Sequence, residues 1–171
     1  GDWLLDPANM TIVGGSAPPP PASPSSVYET DLESATANVT VSATDSIQVL
    51  GTFGGNAVTL PSNISLTLET TGTSGGGTSI DLMTSGQPIS FNTSGSANLT
   101  ISAASGNIKV NDSTTLSSTL AGGSGGVNIT ASNGGIDIQR TTVTSAGAVT
   151  VSGGSTNPAT GIGVRLVEAS L

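Results

Sequence analysis

The sequence predicts an all-β protein: a parallel β-helix of about five coils, each turning through three short strands. Three observations predict it. Apolar residues recur as apolar-x-apolar pairs, a period of two that turns one face inward and leaves Thr, Ser, Asn, Gln, Asp or Lys outward. The pairs are shorter than the strands of about five or six residues usual in a hairpin sheet, and Gly, Ser and Asn punctuate them. Finally, segments 37–49 (ANVTVSATDSIQV), 97–110 (ANLTISAASGNIKV) and 125–138 (GGVNITASNGGIDI) align with one another. Each is a pair, a polar turn of five or six residues, and a second pair. One such unit cannot bury its own inner face, so stacking must supply the partner.

Taken in order, residues 1–26 form an N-terminal strand and cap segment. It has a strand-like stretch, Met10-Thr11-Ile12-Val13, and then the Pro-rich run SAPPPPASPSS at 16–26, which lacks ladder donors and reads as an excursion from the first coil. Trp3-Leu4-Leu5 is placed to cover one end of the stack or to pack under a neighbouring coil. Residues 27–171 are the β-helix repeats. Thr30-Asp31-Leu32-Glu33 has the form of a capping box and predicts one short helical turn, ended before Asn38. Inward pairs follow at Val39/Val41, Ile47/Val49, Val58/Leu60, Ile64/Leu66/Leu68, Ile80/Leu82, Ile89/Phe91, Leu99/Ile101, Ile108/Val110, Val127/Ile129, Ile136/Ile138, Val149/Val151 and Ile162/Val164. Grouped in threes, they start coils near Val39, Ile64, Leu99, Val127 and Val149, at intervals of 25, 35, 28 and 22 residues. Repeat architectures run at roughly 20 to 50 residues. Coils about 4.8 Å apart give a rod roughly 25 Å long.

Composition narrows the function classes. There is no His and no Cys, which removes the commonest general base, the commonest zinc ligands, thiol nucleophiles and disulfides. Only Trp3, Tyr28, Phe53 and Phe91 are aromatic, and 8% of residues are charged, so a thin β-branched core serves a long polar surface. Lys109, Arg140 and Arg165 are the only cations against a net charge of −8. A nucleic-acid partner or an anionic membrane surface needs a basic patch, so neither is expected. No run approaches the roughly 18 apolar residues of a membrane span. The chain shows no signal peptide and ends on an unfinished strand, so it is expected to be a piece of a longer protein.

Candidate chemistry is sparse. Among the eleven acids, Asp81 and Asp137 fall on outward strand positions and Asp45 and Asp112 in turns, with Glu69 a further acid; the cations are scattered along the chain and no acid cluster is visible. The reading is solvated surface, not paired-carboxylate catalysis, and no enzyme activity, metal or cofactor is expected. The glycines of 121–126 are similar to calcium-binding repeat-in-toxin loops, but those need a following Asp and Val127 stands there, so the run reads as a flexible corner. Thr40, Thr59, Thr67 and Thr100 are outward, a possible start to an ice-ordering array, yet Asn128 interrupts the row. Gly-rich phosphate cradles need a following helix and usually a Lys, and have neither here. Seven Asn-x-Ser/Thr sequons, at Asn9, Asn38, Asn63, Asn92, Asn98, Asn111 and Asn128, are candidate glycosylation sites, although a Ser/Thr/Asn-rich strand pattern makes sequons by chance. Asn38, Asn63 and Asn98 alternatively form a stacked Asn ladder at a corner.

Residues 1–12, GDWLLDPANMTI, resemble the "WLLDP-x-N-x-TI" segment of filamentous-haemagglutinin-like exoproteins of two-partner secretion. Leu32-Glu33-Ser34-Ala35, Asn38-Val39-Thr40-Val41, Ala43-Thr44 and Ile47-Gln48-Val49 continue the likeness through roughly residue 50. The resemblance implies a right-handed β-helix, secreted or held at the cell surface outside the outer membrane. It implies a structural and adhesive stalk whose partners are a host or neighbouring-cell surface ligand, or identical chains in a filament. The outer-membrane secretion pore would be met by a region outside this segment, because the "NPNGI"-like motifs of the family's secretion domain are missing and Asn157-Pro158-Ala159 is not one. The alternatives are a self-assembling filament or ice-binding β-helix, and a β-helix carbohydrate-active enzyme.

Overall fold

The computed structural model describes residues 3–5, 7–16, 25–72, 77–154 and 163–171. In chain order these form β1 (Trp3–Leu5), β2 (Asn9–Val13), β3 (Ser26–Tyr28), helix α1 (Glu29–Glu33), β4 (Val39–Ala43), β5 (Ser46–Leu50), β6 (Ala57–Thr59), β7 (Leu66–Thr70), β8 (Thr78–Asp81), β9 (Met83–Thr84) and β10 (Gln87–Pro88). The order continues with β11 (Ser90–Asn92), β12 (Asn98–Ala103), β13 (Asn107–Asn111), β14 (Ser118–Gly122), β15 (Gly126–Ala131), β16 (Ile136–Gln139), β17 (Thr141–Ser145), β18 (Val149–Gly153) and β19 (Val164–Val167). The Pro-rich residues 17–24, the side chains of Trp3, Leu4 and Leu5, and Ile162 lie outside the described residues.

The protein is all-β, and its strands make three parallel sheets compatible with a parallel β-helix. Sheet A orders β1-β4-β7-β12-β15-β18, sheet B β3-β2-β5-β8-β13-β16-β19, and sheet C β6-β11-β14-β17. From β4 to β18 the chain visits A, then B, then C, and returns to A four circuits running. Hydrogen-bonded neighbours therefore come from different circuits. The antiparallel β9–β10 pair, a small hairpin on the way from sheet B to sheet C, is the exception the repeat did not predict.

Register explains the spacing. In sheet A, Val39, Leu66, Leu99, Val127 and Val149 stand in one column. The second circuit in that column thus begins at Leu66, not at the expected Ile64. Asn63 adopts φ 68°, a left-handed conformation Asn tolerates, and the Ile64 amide closes a turn on the Pro61 carbonyl, so Ile64 is spent on the corner and stays half-buried. Trp3 pairs with Val39, which gives sheet A a sixth strand. In the N-terminal stretch β2 joins sheet B, and β3 pairs in parallel beside it. The helical turn is also present, but it spans Glu29–Glu33 and its box differs from the expected one. The Tyr28 amide donates to Asp31 Oδ2 at 3.2 Å, while Thr30 lies inside the turn and Glu33 accepts from the Thr59 amide.

Inward residues of all three sheets, from Met10 to Val143, merge into one apolar cluster. Leu68, Phe91, Ile101 and Ile138 are fully buried, and the β-branched character of many positions suits a pleated surface. Alternation is strict in β12, where Leu99, Ile101 and Ala103 are buried and Asn98, Thr100 and Ser102 are half-buried. The corner at Gly122–Gly126 is not a loose loop: a Cβ on Gly123 would strike the backbone carbonyls of Gly95 and Ala97 in the circuit below. Urea denaturation should show Ile101→Ala destabilised by about 2–5 kcal/mol, through lost burial and a cavity in the shared core. Thr100→Ala, one residue away on the outer face, should stay within about 0.5 kcal/mol. Equal losses at the two positions would contradict the assignment of faces.

Candidate functional site

The outer face of sheet B carries a column of charge. Gln48, Asp81, Lys109, Asp137 and Arg165 are successive register partners on five strands. From Asp81 the signs alternate. Lys109 Nζ lies 2.8 Å from Asp81 and 3.5 Å from Asp112, and Arg165 lies 3.1 Å from Asp137. Arg140 pairs with Glu168 at the nearby corner. The three cations, scattered along the sequence, are thus all partnered in space. Burial acts to lower the Lys109 pKa, but hydrogen bonding and charge attraction from Asp81, with Asp112 behind it, outweigh that and leave it raised above the ordinary lysine value. Asp81 and Asp137 occupy the outward strand positions expected of them, and Asp45 and Asp112 lie in turns.

The corners carry a second pattern: a side-chain oxygen from one circuit accepts the backbone amide of the next. Asn38 Oδ1 accepts from Ser65 at 3.0 Å, and Ser65 Oγ from Asn98 at 3.1 Å. Ser90 Oγ accepts from Thr119 at 2.9 Å, and Asn107 Oδ1 from Gly135 at 2.8 Å. The expected Asn ladder is therefore a mixed column of Asn38, Ser65 and Asn98. Asn63 stands two residues outside it, taking the amide and hydroxyl of Ser96. Glu29 does the same work with a charge. It is 5% exposed, and its two carboxylate oxygens accept the Gly15 amide at 2.6 Å and the Gly54 amide at 2.7 Å, tying the loop after β2 to the loop before β6. Nothing local in the sequence marks Glu29, because its partners lie 14 and 25 residues away.

The sequons fall in unlike places. Asn9, Asn38, Asn63 and Asn128 are exposed, and Asn92 and Asn98 are half-buried. Asn111 is completely buried, donating to the Leu116 carbonyl at 3.0 Å and accepting from the Ser113 amide at 2.8 Å.

The outer face of sheet A presents two hydroxyl-rich columns. One runs Thr40, Thr67, Thr100, Asn128, Thr150; the other runs Ser42, Glu69, Ser102, Thr130, Ser152, with Ser42 itself buried. Thr59 belongs to sheet C, opposite Asn92, and not to this row. A cavity of about 190 Å³ opens between α1 and β4, lined by residues such as Asp31, Ser34, Thr36 and Asn38. That is below the roughly 300–1,000 Å³ typical of small-molecule sites. Among the described residues no group of three or more His, Cys, Asp or Glu is placed to hold a metal ion. The described residues present surfaces and columns of side chains.

No protein-family model, no curated protein and no solved structure matches this chain.

Two outcomes follow from the geometry. Glu29→Ala leaves two backbone amides without their acceptor and should cost about 2–4 kcal/mol in chemical denaturation; a loss under 0.5 kcal/mol would remove the clamp from the account. Lys109 holds its proton more tightly folded than unfolded. Its contribution is full below the unfolded-state pKa and fades as pH rises through the folded-state pKa, above about pH 10. Lys109→Met should therefore lower stability by about 0.5–1 kcal/mol at pH 7. The gap between variant and parent should close in alkaline solution, and a gap that persists there would point to packing instead of charge.

Proposed function

We propose that this chain is a stretch of right-handed parallel β-helix of about five coils, serving as a structural and adhesive stalk in a secreted or cell-surface exoprotein. The observation that carries the reading is the repeated A–B–C path through three parallel sheets around one continuous core. Right-handedness is supported by the general rule that parallel crossovers within a sheet are right-handed in about 98% of cases. The likeness of residues 1–50 to filamentous-haemagglutinin-like exoproteins supplies the adhesive part and its partners, a surface ligand on a host or neighbouring cell. With no other match, that part rests on those residues alone. The mechanism is mechanical: stacked circuits hold a binding end away from the cell, and polar outer faces keep the rod in solution.

A second reading, an ice-ordering face, is favoured by the in-register Thr40, Thr67, Thr100 and Thr150 on sheet A. Glu69 in the adjoining column, and Asn128 within the row, place it second.

The test has separate arms. An experimental structure should show the chain winding right-handed through a closed three-sheet cross-section; an open or left-handed path overturns the fold. Beads coated with the folded chain should be retained on cultured epithelial cells above beads coated with the heat-denatured chain, and equal retention overturns adhesion. Inhibition of ice recrystallisation by the folded chain, lost in a Thr67→Lys/Thr100→Lys variant, would install the second reading in its place.

A further inference from the structure

We propose that the end of the molecule formed by β18 and β19 is a docking face for one further β-helical circuit whose sheet B strand presents an acid to Arg165; the proposal rests on the stalk reading above.

Three independent features point there. The first is exposed core. Ile136 and Ile138 in β16 are 2% and 0% exposed, while Val164, the register partner of Ile136, is only half-buried and Leu166, the partner of Ile138, is 42% exposed. In sheet A, Val127 and Ile129 are buried and their partners Val149 and Val151 are not. Leu171, at the same end, is 63% exposed. The second is the ladder. Among the described residues β19 pairs with β16 and β18 with β15, and neither has a second partner strand on its outer edge. At the opposite end, β3 pairs in parallel with β2 and is the terminal strand of sheet B, with Val27 and Tyr28 buried.

The third is the charge column, and it specifies the occupant. Lys109 stands between Asp81 and Asp137, and Asp137 stands between Lys109 and Arg165. Arg165 has an acid on one side only, and its side chain is 49% exposed. Like charges directly opposite on adjacent strands are destabilising and opposite charges stabilising. The strand that fits reads apolar–acid–apolar: apolar residues over Val164 and Leu166, a carboxylate over Arg165. A second copy docking end-on does not supply it, because the sheet B edge at its other end offers Ser26, Val27 and Tyr28. The chain already contains the required pattern twice, as Ile80-Asp81-Leu82 and Ile136-Asp137-Ile138.

The experiment extends the protein by one circuit. Thr142 bridges Ser170, which puts Leu171 at the level of Val143 and of its partner Leu120. A second copy of residues 121–143 joined after Leu171 therefore resumes the path in register and brings the copied Asp137 over Arg165. Its counterpart carries Asp137→Lys in the appended copy only. Hydrogen exchange of the Val164–Val167 amides is read in both, and in the unextended chain. The acid-bearing extension should slow exchange about ten-fold or more, and the lysine-bearing one should give up about five-fold of that protection. Arg165→Gln in both extended proteins should abolish the difference between them. Equal protection by both copies overturns the preference for an acid and leaves the stalk reading standing. No protection by either overturns the docking face and the repeat-stacking reading with it.

Discussion

Every long-range feature of this protein depends on parallel strands from successive circuits standing in register. A backbone amide in β12 finds its partners in β7 and β15, roughly thirty residues away in either direction, and not in the strand that follows it. Register is fixed because one face is buried: a slip of a single residue would turn Leu99 and Ile101 to solvent and drive Thr100 into the core. With little aromatic or charged material to work with, the fold is held by repetition of a modest contact, a column of Val, Leu and Ile about 4.8 Å apart.

That constraint organises the polar groups as well. Once strands are stacked, any side chain at an outward position lies directly over its counterpart, so a residue that looks solitary in sequence belongs to a column in space. Opposite charges on sheet B, hydroxyls on sheet A and amide-catching Asn and Ser at the corners are three uses of the same geometry. The corners matter because the ladder stops there and leaves backbone amides that need acceptors. Asn38, Ser65, Ser90 and Asn107 supply them from the preceding circuit. Where two loops meet α1 near Gly15 and Gly54, a buried carboxylate from Glu29 is used instead.

The inward pairs were legible in the amino-acid sequence because period-two alternation is a local property; Val39, Leu99 and Val127 fall in one column as the aligned segments suggest. Ile64 was misplaced because its alternation with Leu66 continues a strand pattern through a turn that only Asn63 marks. The charge column was also present in the sequence, since Asp81, Lys109, Asp137 and Arg165 follow one another at intervals of 28 residues. Unequal coil lengths hide that interval unless the register is known. Glu29 was beyond reach, because its role depends on two glycine amides brought near it by separate loops. The glycine run at 122–126 looked loose for a similar reason: sequence shows small residues, and only stacking shows the carbonyls of the circuit beneath.

The circuits are unequal. The sheet A column advances by 27 residues from Val39 to Leu66, by 33 to Leu99, by 28 to Val127 and by 22 to Val149, while the strands within it stay aligned. The β9–β10 hairpin sits in the longest of these intervals; sheets A and C keep their register across it, while sheet B shifts by one residue between β8 and β13. Length is absorbed at corners and does not reach the core. Such a chain can diversify in two ways that leave its packing untouched: by duplicating a whole circuit, or by growing a loop at one corner. Growth of a corner loop is then compatible with the fold where it leaves the amide-catching side chains and the tightly packed glycines in place, and a lineage built on this plan would vary its outline long before it varied its interior.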